Sequence, residues 1–132
     1  MLNTQCQLRG IVLQKVVVLG ASPKPGRFAY KALVKLKQAG HEVLPVHPKA
    51  TEIEGVKVFS SLAEIDRKID TLALYVGPAR MLNLVDEVCA LKPARIIFNP
   101  GTESEEIQNT FERAGIECVL DCTLVMLDEN RF

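Results

Sequence analysis

The sequence predicts an α/β fold in which helices cover both faces of a doubly wound parallel sheet. Two observations support this class. Short apolar runs typical of buried strands alternate along the chain with segments whose apolar residues recur at helical spacing. The first of these runs also ends at a glycine-containing loop that leads directly into a helix.

The first strand, first helix and second strand have the clearest patterns. Residues 15–20 are nearly all apolar, as expected of a strand that is buried on both faces. The helix that follows ends at Gly40, and residues 42–46 form the second strand before His47 and Pro48. The apolar stripe of the helix has i, i+3, i+4, i+7 spacing and consists of Ala29, Ala32, Leu33 and Leu36.

The same alternation continues along the rest of the chain. Serine or threonine followed by glutamate three residues later, at residues 61–64 and 102–105, predicts two capping boxes that each open a helix. Residues 123–132 are expected to form an irregular or short strand-like tail. Helical spacing recurs at Met81, Leu84, Val85 and Val88, and again at Ile107, Phe111 and Ala114. Further strands are predicted at residues 56–59, 71–76, 94–98 and 116–120.

Right-handed crossovers favour the strand order 3-2-1-4-5 in a Rossmann-like sheet of about five to six strands. A single domain over residues 1–132 accommodates all of these elements. In such sheets ligands bind beyond the carboxyl ends of the strands, where the winding reverses. The loops predicted to meet there are residues 20–27, 47–51, 77–80 and 99–102.

Composition excludes several classes of partner. Lysine plus arginine and aspartate plus glutamate each number 16, so we expect no nucleic-acid surface and only a local anion site. No apolar run approaches the roughly 18 residues of a membrane span, and residues 1–14 lack the pattern of a secretory signal. Cys6, Cys89, Cys118 and Cys122 include no C-x-x-C pair, which favours free thiols in a cytoplasmic protein over a metal site.

The loop after the first strand, with the sequence GASPKPGR, has the features of a phosphate site. A helix N-terminus offers unpaired amides and the positive end of the helix dipole. Pro23 and Pro25 carry no N–H, so the amides of Ser22, Lys24, Gly26 and Arg27 are the candidate donors. The alternative is a plain strand-to-helix turn with two solvated cations. The predicted contacts from this loop are Gly20, Ala21, Ser22, Lys24, Gly26 and Arg27.

The identity of the nucleotide is narrowed by two departures from familiar motifs. Ser22 stands where the fingerprint G-x-G-x-x-G has its second glycine, and no P-loop occurs. An NAD site would place an acidic residue after the second strand, whereas this chain has His47, Pro48 and Lys49 there. A lysine suits a phosphorylated ribose, which both CoA and NADP carry. The residues leave these two ligands open, with an ordinary surface lysine as the alternative.

Five motifs occur in a distinctive order: VVLGASP at 17–23, GR at 26–27, VHPK at 46–49, YVGP at 75–78 and NPGTES at 99–104. Together they resemble the family of single-domain CoA-binding proteins. That family is similar to the CoA-binding domain of the succinyl-CoA synthetase alpha subunit. The resemblance covers approximately residues 15–126.

The resemblance implies roles for particular residues. Ser22, Lys24 and Arg27 would hold the CoA phosphates, and Lys49 would also contact CoA. His47 is expected to line the adenine edge rather than to do chemistry. Asn99 either binds a polar group near the thiol end of CoA or forms a tight turn before a helix. The other predicted contacts are Pro48, Val76, Gly77, Pro78 and Arg80.

No catalytic constellation is identified. Glu103 and Asp121 follow the last two strands, but helix capping and a buried cysteine account for them without chemistry. His41 is predicted to be a solvated turn residue, and the histidine-bearing second domain of the synthetase subunit has no counterpart here. We therefore expect non-catalytic binding of CoA or an acyl-CoA. The alternatives are an NADP-binding reductase, a ligase subunit that needs a partner chain, and a regulatory domain with a vestigial pocket; a homodimer or an unknown protein partner is compatible with each.

Overall fold

The structure, a computed structural model that describes residues 12–132, contains seven strands and five helices within that range. A 3₁₀ turn, Leu62–Glu64, lies between the fourth and fifth strands. The strands are β1 (Lys15–Leu19), β2 (Glu42–Val46), β3 (Glu52–Ile53), β4 (Val56–Lys57), β5 (Thr71–Leu74), β6 (Arg95–Phe98) and β7 (Glu117–Leu120). The helices are α1 (Phe28–Gln38), α2 (Pro78–Met81), α3 (Val85–Leu91), α4 (Glu105–Arg113) and α5 (Thr123–Asp128).

Five strands form one parallel sheet in the order β2-β1-β5-β6-β7, which confirms the predicted α/β class. From β1, the second strand in this order, the chain first adds β2 on one side and then crosses to β5 on the other. The winding therefore reverses between β1 and β5, where Leu19 is in register with Leu74. This reversal opens a crevice beyond the carboxyl ends of the two strands.

Apolar clusters cover both faces of the sheet. Val16 and Val18 pack with Leu33 of α1 on one face. Val17 packs with Phe111 of α4 on the other. Because successive strand residues point to opposite faces, a central strand with helices on both sides must be apolar throughout.

Residues 56–59 were predicted to form the third strand of the main sheet, and this prediction is wrong. Val56–Lys57 pairs antiparallel with Glu52–Ile53 instead. The chain turns back between them at Glu54 and Gly55, whose φ values are 51° and 75°. Only Phe59 reaches the main sheet, through a single parallel bridge to β2. The order 3-2-1-4-5 is therefore corrected to 2-1-4-5-6 in the numbering of the predicted strands.

Both predicted capping boxes differ from the observed helix starts. Ser61 makes no side-chain cap and leads only into the 3₁₀ turn, while Glu64 accepts a hydrogen bond from a preceding loop amide at 2.8 Å. At α4 the cap is Ser104, whose Oγ accepts from a first-turn amide at 3.3 Å. Thr102 is not this cap because it lies three residues before the start of the helix, where its hydroxyl donates to the Asn99 carbonyl at 2.7 Å.

The expectation of an irregular or strand-like tail is also wrong. Thr123–Asp128 forms α5, because Met126 is buried and Leu127 packs against the cluster that contains α1. Within residues 12–132, no helix has both the length and the apolar character of a membrane span.

His41 is buried rather than solvated, which corrects another prediction. Its Nδ1 accepts a hydrogen bond from the Gln14 amide at 3.0 Å, and its ring lies 5.1 Å from the ring of Phe132. Burial, together with the nearby charge of Arg95, lowers the pKa of His41. The residue precedes β2 and therefore lies at the opposite end of the sheet from the crevice.

Candidate functional site

A cavity of about 810 Å³ lies beyond the carboxyl ends of β1, β2 and β5. It occupies the position where the winding of the sheet reverses. Residues of three predicted loops line it, those at 20–27, 47–51 and, through Arg80, 77–80, whereas the loop at 99–102 that was predicted to join them does not. The predicted site residues that line it are Gly20, Ala21, Ser22, Lys24, Arg27, His47, Pro48, Val76 and Arg80.

The other predicted site residues do not line the cavity. Gly26 and Gly77 lie beside open space, with no heavy atom within 4 Å of an added Cβ. Asn99 is only 2% exposed, and its side chain donates to the Leu74 carbonyl at 3.0 Å and accepts from the Thr123 amide at 2.8 Å. Its side-chain amide therefore joins the end of β5 to the start of α5, a role that neither predicted alternative described. The residues outside the lining are Gly26, Lys49, Gly77, Pro78 and Asn99.

Gly20 brings the end of β1 unusually close to the end of β5. Its φ is +89°, and an added Cβ would lie 2.9 Å from both the Tyr75 carbonyl oxygen and Val76 Cγ2. The next amide, that of Ala21, donates to the Val46 carbonyl at 3.2 Å. The first loop is thus held against both neighbouring strand ends, which fixes where α1 begins.

Two of the four amides predicted as phosphate donors are already used within the loop. The Lys24 amide donates to Ser22 Oγ at 3.1 Å, and the Arg27 amide donates to the Lys24 carbonyl at 3.0 Å. The amides of Ser22 and Gly26 have no hydrogen-bond acceptor in the part of the chain that the structure describes. Arg27 provides no side-chain cap for the 11-residue helix α1, so the first-turn amides are also uncapped. Such a helix start favours an anion.

The charged side chains around the cavity also favour an anion. Lys24, Arg27 and Arg80 line it, whereas Glu87 is the only acidic residue among the described residues of the lining. Within residues 12–132, none of these three cations forms a salt bridge. Their charge therefore remains available to a ligand.

The turn after β2 is closed by a histidine side chain. Nδ1 of His47 accepts hydrogen bonds from the amides of Lys49 and Ala50, at 3.0 Å and 2.9 Å. His47 and Pro48 line the cavity, while the Lys49 side chain is exposed beside it. The structure thus places Lys49 next to the cavity lining rather than within it.

Much of the cavity wall was not predicted from the sequence. Phe28, the first residue of α1, lines the cavity and is 67% exposed. An aromatic residue outside the buried stripe of that helix is a sequence signal that could have identified it as part of the site. Tyr75 also lines the cavity, and burial raises the pKa of its hydroxyl to about 12. The unpredicted lining residues are Leu19, Pro23, Phe28, Ala29, Val46, Ser60, Ser61, Leu62, Tyr75, Leu84 and Glu87.

The two acids considered as catalytic candidates lie outside the cavity lining and have structural partners. Glu103 accepts a hydrogen bond from the Gly101 amide at 2.8 Å. Asp121 pairs with Arg131 at 2.8 Å and accepts from the Cys122 amide at 2.7 Å, and the arginine lowers the pKa of Asp121. Both carboxylates therefore stabilise loops.

The cysteines that the structure describes are free thiols. Burial raises the pKa of Cys118 to about 11, which disfavours the reactive thiolate. Cys89 and Cys122 are partly buried. Residues 1–11, which include Cys6 and most of the segment searched for a secretory signal, lie outside the described residues. In residues 12–132, no group of three His, Cys, Asp or Glu side chains is placed to hold a metal ion.

Comparison with known sequences gives matches over most of the chain. A protein-family model for a CoA binding domain matches residues 14–128. The uncharacterized protein YneT of Bacillus subtilis is 27% identical over 108 residues, which is 82% of this chain and 80% of that protein. The alpha subunit of ADP-forming acetate–CoA ligase I from Pyrococcus furiosus is 36% identical over 90 residues, but these are 64% of this chain and only 19% of that subunit.

Solved structures share the fold over nearly the whole chain. The crystal structure of an uncharacterized protein has a TM-score of 0.86 and 41% identity, covering 92% of this chain and 99% of that one. A Thermus thermophilus protein has a TM-score of 0.84 and 29% identity, covering 99% of this chain and 100% of that one. A conserved hypothetical protein from Pyrococcus furiosus has a TM-score of 0.78 and 35% identity, covering 86% and 98% of the two chains.

Proposed function

Because this chain belongs to the CoA-binding domain family, we propose that it binds CoA or an acyl-CoA at the β1–β5 cavity without catalysing a reaction by itself. The proposal rests on one observation: the uncapped amides at the start of α1 lie beside three cations that form no salt bridge with any residue of 12–132. The diphosphate of CoA suits these amides and the charges of Lys24 and Arg27. The remaining length of the cavity, toward Arg80 and Leu84, is available for the pantetheine arm.

The turn after β2 is assigned to the 3′-phosphate of CoA. Lys49 is exposed beside the cavity and makes no salt bridge within residues 12–132. A positive charge at this position favours a phosphorylated ribose over the free ribose hydroxyls of NAD. Lys49 therefore supports selectivity for CoA over dephospho-CoA.

Isothermal titration calorimetry with CoA, dephospho-CoA, NADP and NAD tests the proposal. CoA is expected to bind most tightly. Dephospho-CoA should bind roughly fivefold more weakly, the effect of losing one exposed lysine–phosphate pair of about 1 kcal/mol. NAD should bind negligibly. No binding of CoA would overturn the proposal, and tighter binding of NADP than of CoA would favour a reductase.

The variant Lys49→Gln and a matched control show whether the charge of Lys49 acts on the 3′-phosphate itself or only through the net charge of the protein. The control is Lys68→Gln, which removes the same charge from an exposed lysine before β5, at the opposite end of the sheet. Lys49→Gln should weaken CoA about fivefold and leave dephospho-CoA unchanged, whereas Lys68→Gln should affect neither. An equal loss for both ligands in Lys49→Gln would remove Lys49 from the 3′-phosphate site.

A second candidate function is that of a CoA-holding component of a multichain ligase. The 36% identity to an acetate–CoA ligase alpha subunit favours it, although the match covers only 19% of that subunit. Under both proposals, the purified chain incubated alone with ATP, acetate and CoA forms no acetyl-CoA. Acetyl-CoA formation by the chain alone would contradict both of them. The cytoplasmic location and the homodimer expected from the sequence remain predictions.

A further inference from the structure

His47 is the first residue after β2, and its ring holds the turn that follows. Nδ1 accepts from the Lys49 amide at 3.0 Å and from the Ala50 amide at 2.9 Å. The backbone of His47 is fixed independently, because its amide donates to the Phe59 carbonyl at 3.0 Å. Pro48, between His47 and Lys49, has no amide hydrogen, and the next two amides of the turn are both directed at one imidazole nitrogen.

These contacts determine the chemical form of the ring. A neutral imidazole accepts a hydrogen bond only at its unprotonated nitrogen. Since Nδ1 accepts, the hydrogen of the neutral ring lies on Nε2. The side chain therefore serves the turn as an acceptor, in the way that an asparagine side chain serves an Asx turn.

We propose that His47 is a positioning residue that acts through Lys49. By holding the Lys49 amide, Nδ1 fixes the backbone from which the lysine side chain extends beside the cavity. Without this acceptor, the turn can rearrange and the lysine charge is no longer held near the ribose phosphate. The inference rests on the proposed binding of CoA, and it assigns His47 to selectivity for the 3′-phosphate.

The matched variants are His47→Ala, which removes the acceptor, and His47→Asn, whose side-chain oxygen can replace Nδ1. The readout is the ratio of CoA to dephospho-CoA affinity, measured by calorimetry. Wild type and His47→Asn should keep the roughly fivefold preference of an exposed lysine–phosphate pair, whereas His47→Ala should lose most of it. In a Lys49→Gln background, His47→Ala should change the ratio no further.

Several results would overturn the inference. If His47→Ala weakened both ligands equally, the residue would be structural only. If His47→Asn behaved like His47→Ala, the ring itself rather than its acceptor would matter. Nitrogen NMR of the imidazole must show the Nε2–H tautomer in the free protein, and the Nδ1–H tautomer would also overturn it. Equal binding of CoA and dephospho-CoA by the wild type would overturn this inference and the assignment of Lys49 to the 3′-phosphate, but would leave the proposed binding of CoA standing. No CoA binding would overturn the proposed function as well.

Discussion

Replacing Gly20 by alanine should destabilise the fold more than the same change at other glycines. The new Cβ would meet two obstacles: a φ of +89°, and contacts of 2.9 Å with the Tyr75 carbonyl oxygen and Val76 Cγ2. A non-glycine residue in a left-handed conformation costs about 1–2 kcal/mol. Overpacking against a fixed backbone adds roughly 1–3 kcal/mol. The free energy of unfolding should therefore fall by roughly 2–5 kcal/mol in Gly20→Ala.

Thermal denaturation measures this loss as a change in Tm. An unfolding entropy of about 2.1 cal/mol/K per residue gives roughly 0.28 kcal/mol/K for 132 residues, so the Tm should fall by roughly 7–18 °C. Gly101 and Gly26 are the matched controls. Gly101 has a φ of +93° but no neighbour within 4 Å of its added Cβ, and Gly26 has neither obstacle.

The three variants separate backbone strain from steric overlap. Gly101→Ala should lose only the conformational part, roughly 4–7 °C. Gly26→Ala should change stability by less than about 1 kcal/mol, in either direction. If Gly20→Ala were no worse than Gly101→Ala, the close approach of β1 to β5 at the cavity would be refuted.

Two further predictions concern other parts of the chain. His41→Asn should flatten the pH dependence of stability. Because burial lowers the pKa of His41 from 6.5, the unfolded chain binds more protons than the folded chain below that pH. The free energy of unfolding of the wild type therefore decreases as the pH is lowered, by at most about 1.4 kcal/mol per pH unit. Thermal melts at about pH 7.5 and 5.5 measure this slope, and an unchanged slope in the variant would contradict it. Phe28→Ala should weaken CoA about two- to tenfold in calorimetry, with little change in Tm, because the ring lines the cavity and is 67% exposed. Leu82→Ala, at 58% exposure but outside the lining, should leave CoA affinity unchanged.

The fold class could be predicted because its signals are local. A strand buried on both faces must be apolar, as residues 15–20 are, whatever its neighbours. The place of residues 56–59 could not be predicted in the same way, because the tight turn at Glu54 and Gly55 pairs the chain with itself. Helix α5 was missed because six residues are too few to establish a period, and tertiary packing decides their conformation.

The candidate site could be predicted where topology alone brings loops together. The loop after β1 lies at the reversal of winding and the loop after β2 lies beside it, and Ser22, Lys24 and His47 accordingly line the cavity. The opposite wall depends on packing that no local motif reveals. Ser61 belongs to a turn that was expected to be a helix, and Glu87 reaches the cavity only because of where α3 packs.

Backbone-amide NMR during a titration with CoA tests the central claim most directly. The account predicts that saturating CoA shifts the amide resonances of Ser22, Gly26 and the first turn of α1, while those of Lys15 and Asp70 at the other end of the sheet stay unchanged. Unshifted amides at the start of α1 in the presence of saturating CoA would contradict it.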